Sequence, residues 1–211
     1  MALKTLLLFT KYPTPGFVKT RLIPLLGIEA STHLHEKLTE MIVNKVVIAQ
    51  AKSEFALEIH FHGANYIQML DWLGPGLLYR QQIDGNLGDK MSIAFKNAFD
   101  QGSSKVVVVG SDAPDITPDI LIQAFDLLDN SDVVIGPAFD GGYYLLGSRA
   151  YYPSFFENIE WGSSSVLNQT IERITCLSLT KVLLPLLSDL DRPEDLIEHQ
   201  NRLPFSCVFK N

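Results

Sequence analysis

Lys105-Val106-Val107-Val108-Val109-Gly110-Ser111-Asp112-Ala113-Pro114 decides the fold class of this 211-residue chain. Four consecutive valines, ended by a small polar turn, describe a strand buried on both faces. That is the usual state of a central strand in a parallel sheet. Ligands of open α/β sheets bind just outside the carboxyl ends of such strands. Asp112 therefore stands where a nucleotide or metal site is expected. A second acidic cluster, Asp189-Leu190-Asp191, follows much later in the chain.

Outward from the valines, apolar runs alternate with helical patterns as βαβ units do. Strands are predicted over 3–10, 55–62, 77–82, 132–136, 143–147 and 182–187. Helices are predicted over 28–52, 90–101, 163–174 and 193–201, with another opening at Thr117-Pro118, Thr as N-cap and Pro at the first helical position. Irregular, Gly/Pro-rich stretches fall at 12–27, 63–76, 84–89, 110–118 and 136–142, several directly after strands. No repeat or linker divides the chain, so residues 1–211 are expected to form a single α/β domain.

Composition narrows the functions. Hydrophobic residues make up 46% and charged residues 19%, an ordinary globular balance. A net charge of −7 argues against a surface that neutralises a nucleic-acid polymer. A small basic pocket for one nucleotide stays compatible with it. The two cysteines, Cys176 and Cys207, match no metal or redox spacing and read as reduced thiols. The apolar start is too short for a signal-peptide core, and no window reaches a membrane span. A soluble, cytoplasmic protein is expected.

The loop after the first strand carries Lys11, Lys19 and Arg21. On an extended segment Lys19 and Arg21 project to one side and, with Lys11, suit a diphosphate. Gly16 lets the backbone pass close to a ligand, although a solvated basic loop explains the same residues. Asp112 suits a Mg²⁺ site, since magnesium takes one or two carboxylates and completes its shell with phosphates and water. Asp189 or Asp191 offers the second carboxylate; the same segment also reads as a plain helix start, Asp191 standing two residues before Pro193. Asp140-Gly141-Gly142 suits a general base or a sugar-hydroxyl contact beside two glycines, or simply a tight turn. Gly88 fits a backbone contact to a base or ribose, or a loop-to-helix junction. Trp161 fits a pocket wall or a packing position. His60 and His62 share a strand face without a visible third ligand, and His33 and His35 diverge on a helix.

Six segments carry a resemblance, in this order: F-T-K-Y-P-T-P-G-F-V-K-T-R-L, L-G-D-K-M, G-S-D-A-P-D-I-T, G-P-A-F-D-G-G-Y-Y-L-L-G, W-G-S-S-S-V and L-S-D-L-D-R-P-E-D-L. They resemble a GT-A-like, glycosyltransferase-like family of the radical-SAM/selenodomain-associated transferase type. That family is similar in fold to 2-phospholactate guanylyltransferase and the molybdenum-cofactor nucleotidyltransferases. The resemblance implies a Rossmann-like nucleotide-diphospho-sugar transferase domain, a three-layer sandwich with a mixed, mostly parallel sheet. It implies phosphate contacts from Lys19 and Arg21, and a divalent cation, Mg²⁺ or Mn²⁺, on Asp112 and Asp191. It also places Asp140, Gly141 and Gly142 on the acceptor side. Where many relatives of the fold carry D-x-D or G-x-G-x-R, this chain has Ser111-Asp112-Ala113, with one carboxylate.

The expected reaction is metal-assisted glycosyl transfer from a nucleotide-diphospho-sugar to a small-molecule acceptor, with Asp112, Asp140 and Lys19 as catalytic residues. Nucleotidyl transfer with release of pyrophosphate is the alternative reaction. A non-catalytic nucleotide-binding regulator is the alternative of another class. The partners are then a nucleotide or nucleotide-sugar and an acceptor, and a homo-oligomer is compatible with the sequence.

Overall fold

The computed structural model describes residues 3–199. Seven strands form one sheet in the order β3-β2-β1-β4-β6-β5-β7: β1 (Leu3–Lys11), β2 (Ala56–His62), β3 (Leu78–Gln81), β4 (Ser103–Gly110), β5 (Val133–Pro137), β6 (Tyr143–Ser148) and β7 (Lys181–Leu183). The valine strand β4 is central, as its composition requires. It runs parallel to β1 on one side and antiparallel to β6 on the other. β6 also pairs antiparallel with β5, and every other neighbouring pair is parallel. The sheet is therefore mixed and mostly parallel.

Alternation along the central strands assigns the two faces. Leu6, Leu8, Val107 and Val109 pack under α2 (Ile28–Lys52), α3 (Tyr66–Leu73) and α5 (Pro118–Leu127). Leu7, Phe9, Val106 and Val108 pack under α4 (Leu87–Asp100), α6 (Val166–Cys176) and a short 3₁₀ turn, Pro153–Phe155. Helices on both faces of one sheet make a three-layer α/β sandwich.

Several boundaries differ from the sequence expectation, each for a local reason. α4 starts at Leu87 because Asn86 caps the Asp89 N–H while the Asp89 side chain accepts from the Asn86 N–H. The stretch 63–76 is not wholly irregular: a reciprocal Asn65/Gln68 cap starts the eight-residue α3 inside it. The last strand is shorter than 182–187, since Pro185 has no N–H for a ladder and only a bridge between Ala138 and Leu187 continues the pairing. A four-residue α1 (Ile23–Leu26) closes the first loop, and α7 (Pro193–His199) follows the acidic segment. The predicted end of that last helix, and Cys207, lie outside the described residues.

One small apolar cluster does most to place the site. Leu22 from the first loop, Leu34 and Leu38 from α2, and Leu190 and Leu196 from the C-terminal segment are all buried together. The Leu190 N–H also donates to the Asp112 carbonyl at 2.8 Å. Burying these leucines holds the first loop and α2 against a segment more than 150 residues later in the sequence, at the carboxyl end of β4.

Candidate active site

A cavity of about 560 Å³ opens outside the carboxyl ends of β1 and β4. Those strands mark the point where the sheet order reverses direction, the position at which such folds bind ligands. Phe9, Thr10 and Lys11 line it from β1, and Ser111, Asp112 and Ala113 from the turn after β4. Asp140, Gly142, Tyr143, Trp161 and Ser163 form the opposite wall, and Asp189 and Asp191 close one end. A volume between about 300 and 1,000 Å³ is the usual range for a small-molecule site.

Lys19 sits at the centre of the acidic end. Its side chain is 2% exposed, and its ammonium bonds the Asp112 carboxylate and donates to the Leu190 carbonyl at 2.6 Å. Asp191 Oδ1 lies 3.9 Å away. Arg21 does not line the cavity; its guanidinium bonds Asp191 Oδ2 at 2.8 Å. The two cations reach this cluster by a route other than the one spacing suggested. The segment is turned rather than extended, and Lys19 has φ 47°, a left-handed conformation costing about 1–2 kcal/mol in a residue with a Cβ. The buried ion pair and the carbonyl bond offset that strain.

Two carboxylates of this end are shifted in opposite directions. Burial pushes the Asp112 carboxyl up, but the Lys19 charge and hydrogen bond outweigh it and hold the group below its ordinary range. Asp189 goes the other way: burial, with repulsion from Asp112 and Asp140, raises it to about 7. His35, a buried residue of the cavity lining with Nε2 2.9 Å from the Lys11 carbonyl oxygen, is pushed down by burial.

The remaining expected residues divide. Asp140 lines the cavity, and its Oδ1 accepts from the Gly142 N–H at 2.8 Å, so it also makes the tight turn into β6. Gly142 and Trp161 line the cavity, with the Trp161 ring set edge-on to Tyr143. Gly141 has φ +87°, and its backbone is pressed against that of Ser164, so a Cβ there would lie 2.2 Å from the Ser164 carbonyl oxygen. Its place is in joining the β5–β6 turn to the start of α6. Gly88 is likewise a packing position, where a Cβ would meet the Trp161 indole at 2.4 Å. Neither of these two glycines, nor Gly16, lines the cavity.

Lys90, Gln82 and His35 line it without having been singled out as site residues by the sequence. Lys90 directly follows the Asn86–Asp89 cap, and that cap was the signal that fixed its place on the first turn of α4. Among the described residues, Lys11 and Lys90 have no carboxylate within ion-pair distance, unlike Lys19. His60 is committed elsewhere, 3.0 Å from Glu58 and stacked on Phe9, and His33 pairs with Glu36 on the surface.

Asp112, Asp189, Asp191 and the Leu190 carbonyl make an all-oxygen donor set, the chemistry that Mg²⁺ and Mn²⁺ prefer. Among the described residues no group of three or more His, Cys, Asp or Glu is placed to hold a metal ion by itself. No described helix is long and apolar enough to cross a membrane.

Comparison with solved structures agrees with this architecture. A candidate nucleotide-diphospho-sugar transferase from Desulfovibrio desulfuricans G20 is 32% identical, over 97% of this chain and 90% of its own, with a TM-score of 0.87. The 4-diphosphocytidyl-2C-methyl-D-erythritol synthase of Anaerococcus prevotii DSM 20548 shares the fold at 10% identity, over 95% of each chain, with a TM-score of 0.62. Glucosyl-3-phosphoglycerate synthase from Mycobacterium tuberculosis, solved with Mn²⁺, UDP and phosphoglyceric acid, shares it at 10% identity over 95% of this chain and 75% of its own, with a TM-score of 0.59. No curated protein sequence matches the chain. A family profile described as an uncharacterized protein conserved in bacteria matches residues 45–163, more than half of the chain, and the protein belongs to that family, DUF2064.

Proposed function

We propose that the chain, as one domain, is a glycosyltransferase that binds a nucleotide-diphospho-sugar in this cavity and passes the sugar to a small acceptor lacking a phosphate group. The observation that carries this is the division of charge within the cavity. Lys11, Lys19 and Lys90 stand on the β1, first-loop and α4 side. The wall from Asp140 to Val166 contributes Asp140, Gly142, Tyr143, Tyr144, Trp161, Gly162 and Ser163, without one cation. A diphosphate is attracted to the first side. A phosphorylated acceptor finds no counter-charge on the second, which favours glycosyl over nucleotidyl transfer.

On this reading Lys11 and Lys90 offset charge on the donor diphosphate, with Lys19 and Arg21 behind them. Asp140, beside the acceptor wall, accepts the proton of the attacking hydroxyl as the bond from sugar C1 to the diphosphate oxygen breaks. Trp161 and Tyr143 give an apolar face for a sugar ring or an acceptor and exclude water from it. Asp112 and Asp191, with Asp189 adjacent, would hold a divalent cation, which would supply further stabilisation of the leaving diphosphate.

The test is a panel of UDP-, GDP-, CDP- and ADP-sugars, with Mg²⁺ or Mn²⁺, assayed for nucleoside diphosphate release and for sugar transfer. Transfer from at least one donor, lost in Asp112→Asn and Asp140→Asn, is expected. Pyrophosphate release from a nucleoside triphosphate with a phosphorylated acceptor would replace this reading by nucleotidyl transfer. Nucleotide binding without turnover would replace it by a regulatory role.

A further inference from the structure

We propose that Lys19 is a built-in cation of the carboxylate cluster, and that a divalent metal enters only by displacing its ammonium from between Asp112 and Asp191. The inference uses the same site as the proposed transferase reading, but it concerns this chain's own lysine.

Three observations place Lys19 in that role. Its ammonium is among the least exposed charges in the structure, at 2% side-chain exposure, while Asp112 and Asp191 are 46% and 41% exposed towards the cavity. A surface lysine answering a surface aspartate would not be sealed in this way. Its partners are all oxygens, the donor type a hard metal ion takes: it bonds the Asp112 carboxylate and the Leu190 carbonyl at 2.6 Å, and Asp191 stands further off at 3.9 Å. Its backbone is held at φ 47°, so the loop accepts a conformation unfavourable for lysine and sets the side chain inward.

The surroundings give the ammonium somewhere to go. The cavity lies directly against it, and Lys19 itself is one of the lining residues. Leu22, three residues after Lys19, and Leu190, whose carbonyl the ammonium bonds, are buried in one apolar cluster that anchors both partners of the exchange. Lys19 holds Asp112 Oδ1 and stands 3.9 Å from Asp191 Oδ1, so a metal bound by both carboxylates would lie within a few ångströms of its ammonium, where two positive charges repel strongly. Metal entry and lysine exit are therefore a single event. A lysine turned out of the cluster points its charge into the space where the donor diphosphate would lie. The free protein then keeps its carboxylates neutralised, and metal affinity is low until a phosphate-bearing ligand offers the ammonium a new partner.

The test reads metal binding alone, so its failure and failure of the transferase assay are separate results. Mn²⁺ binding to the nucleotide-free protein is followed by electron paramagnetic resonance for the wild type, Lys19→Met and the exposed control Lys96→Met. Lys19→Met should bind Mn²⁺ at least about tenfold more tightly than the wild type, and Lys96→Met should match the wild type. Equal or weaker binding by Lys19→Met overturns the proposal. Should that variant not fold, reductive methylation of the wild type, read by mass spectrometry, decides the matter. Lys19 should be protected without metal and become reactive as Mn²⁺ is raised. Protection unchanged up to the highest Mn²⁺ concentration the protein tolerates overturns the proposal.

Discussion

Gly141 and Gly162 share nearly the same backbone angle, φ +87° and +86°, yet differ in what surrounds them. A Cβ at Gly162 meets nothing within 4 Å. At Gly141 it meets the Ser164 carbonyl oxygen at 2.2 Å and two further Ser164 backbone atoms at 2.8 Å. Both alanine variants bear the cost of a positive φ, about 1–2 kcal/mol. Only Gly141→Ala adds an overlap with backbone that cannot rotate away, worth about 1–3 kcal/mol more by the scale of overpacked cores. Gly141→Ala should therefore lose about 2–5 kcal/mol, against about 1–2 kcal/mol for Gly162→Ala. For a chain of this size each kcal/mol lowers Tm by about 2–4 °C, so the variants should separate clearly in a thermal scan. Urea unfolding followed by circular dichroism gives the same difference, provided the m-value is unchanged. The overlap also pushes on the joint where the Leu167 N–H donates to the Gly141 carbonyl at 2.9 Å, so the aromatic wall of the cavity should shift in Trp161 fluorescence. Two variants equal in stability within about 0.5 kcal/mol would refute the close approach of the β5–β6 turn to α6.

Two other predictions test the opposite edge and the donor side. The hydrogen bond from His60 holds the Glu58 carboxyl below its ordinary value in spite of burial, so Glu58 adds stability above the usual carboxylate pKa and loses it as pH falls through the depressed value. Glu58→Gln should cost about 1–3 kcal/mol at pH 7, and the gap to the wild type should close below about pH 4 in acid-unfolding curves; a gap independent of pH contradicts the assignment. Lys90→Met should leave Tm unchanged and weaken nucleoside diphosphate binding about tenfold by calorimetry, whereas Lys96→Met, whose lysine pairs with Asp100 on the same helix, should bind as the wild type does. Equal affinities in these two variants would remove Lys90 from the donor site.

The candidate site was legible in unequal parts. Asp112 could be located because a run of valines can only be a buried strand, and the end of such a strand is a known position. Asp140 and Trp161 could be flagged because their neighbours, Gly142 and Gly162-Ser163, are turn-forming. Asp189 could not be separated from Asp191, since two residues in an acidic segment look alike until burial distinguishes them. Burial and the neighbouring carboxylates push Asp189 up to about 7, while Asp191 is held by Arg21. The helix Tyr66–Leu73 was hidden between Gly63 and Gly74-Pro75-Gly76, although the Asn65/Gln68 spacing was there to be read.

By itself the sequence determined the alternation of strands and helices, the central place of β4 and the segments that border the site. Those properties depend on period, β-branching and capping, which act over a few residues. Tertiary structure alone decided that Leu22 and Leu190 pack together, that β6 turns back antiparallel beside β4, and that Gly88 and Gly141 serve packing. It also decided that the Lys19 ammonium is sealed against Asp112 and the Leu190 carbonyl. Each of these depends on contacts between residues tens of positions apart, and only burial of the shared apolar surface fixes which distant charges meet.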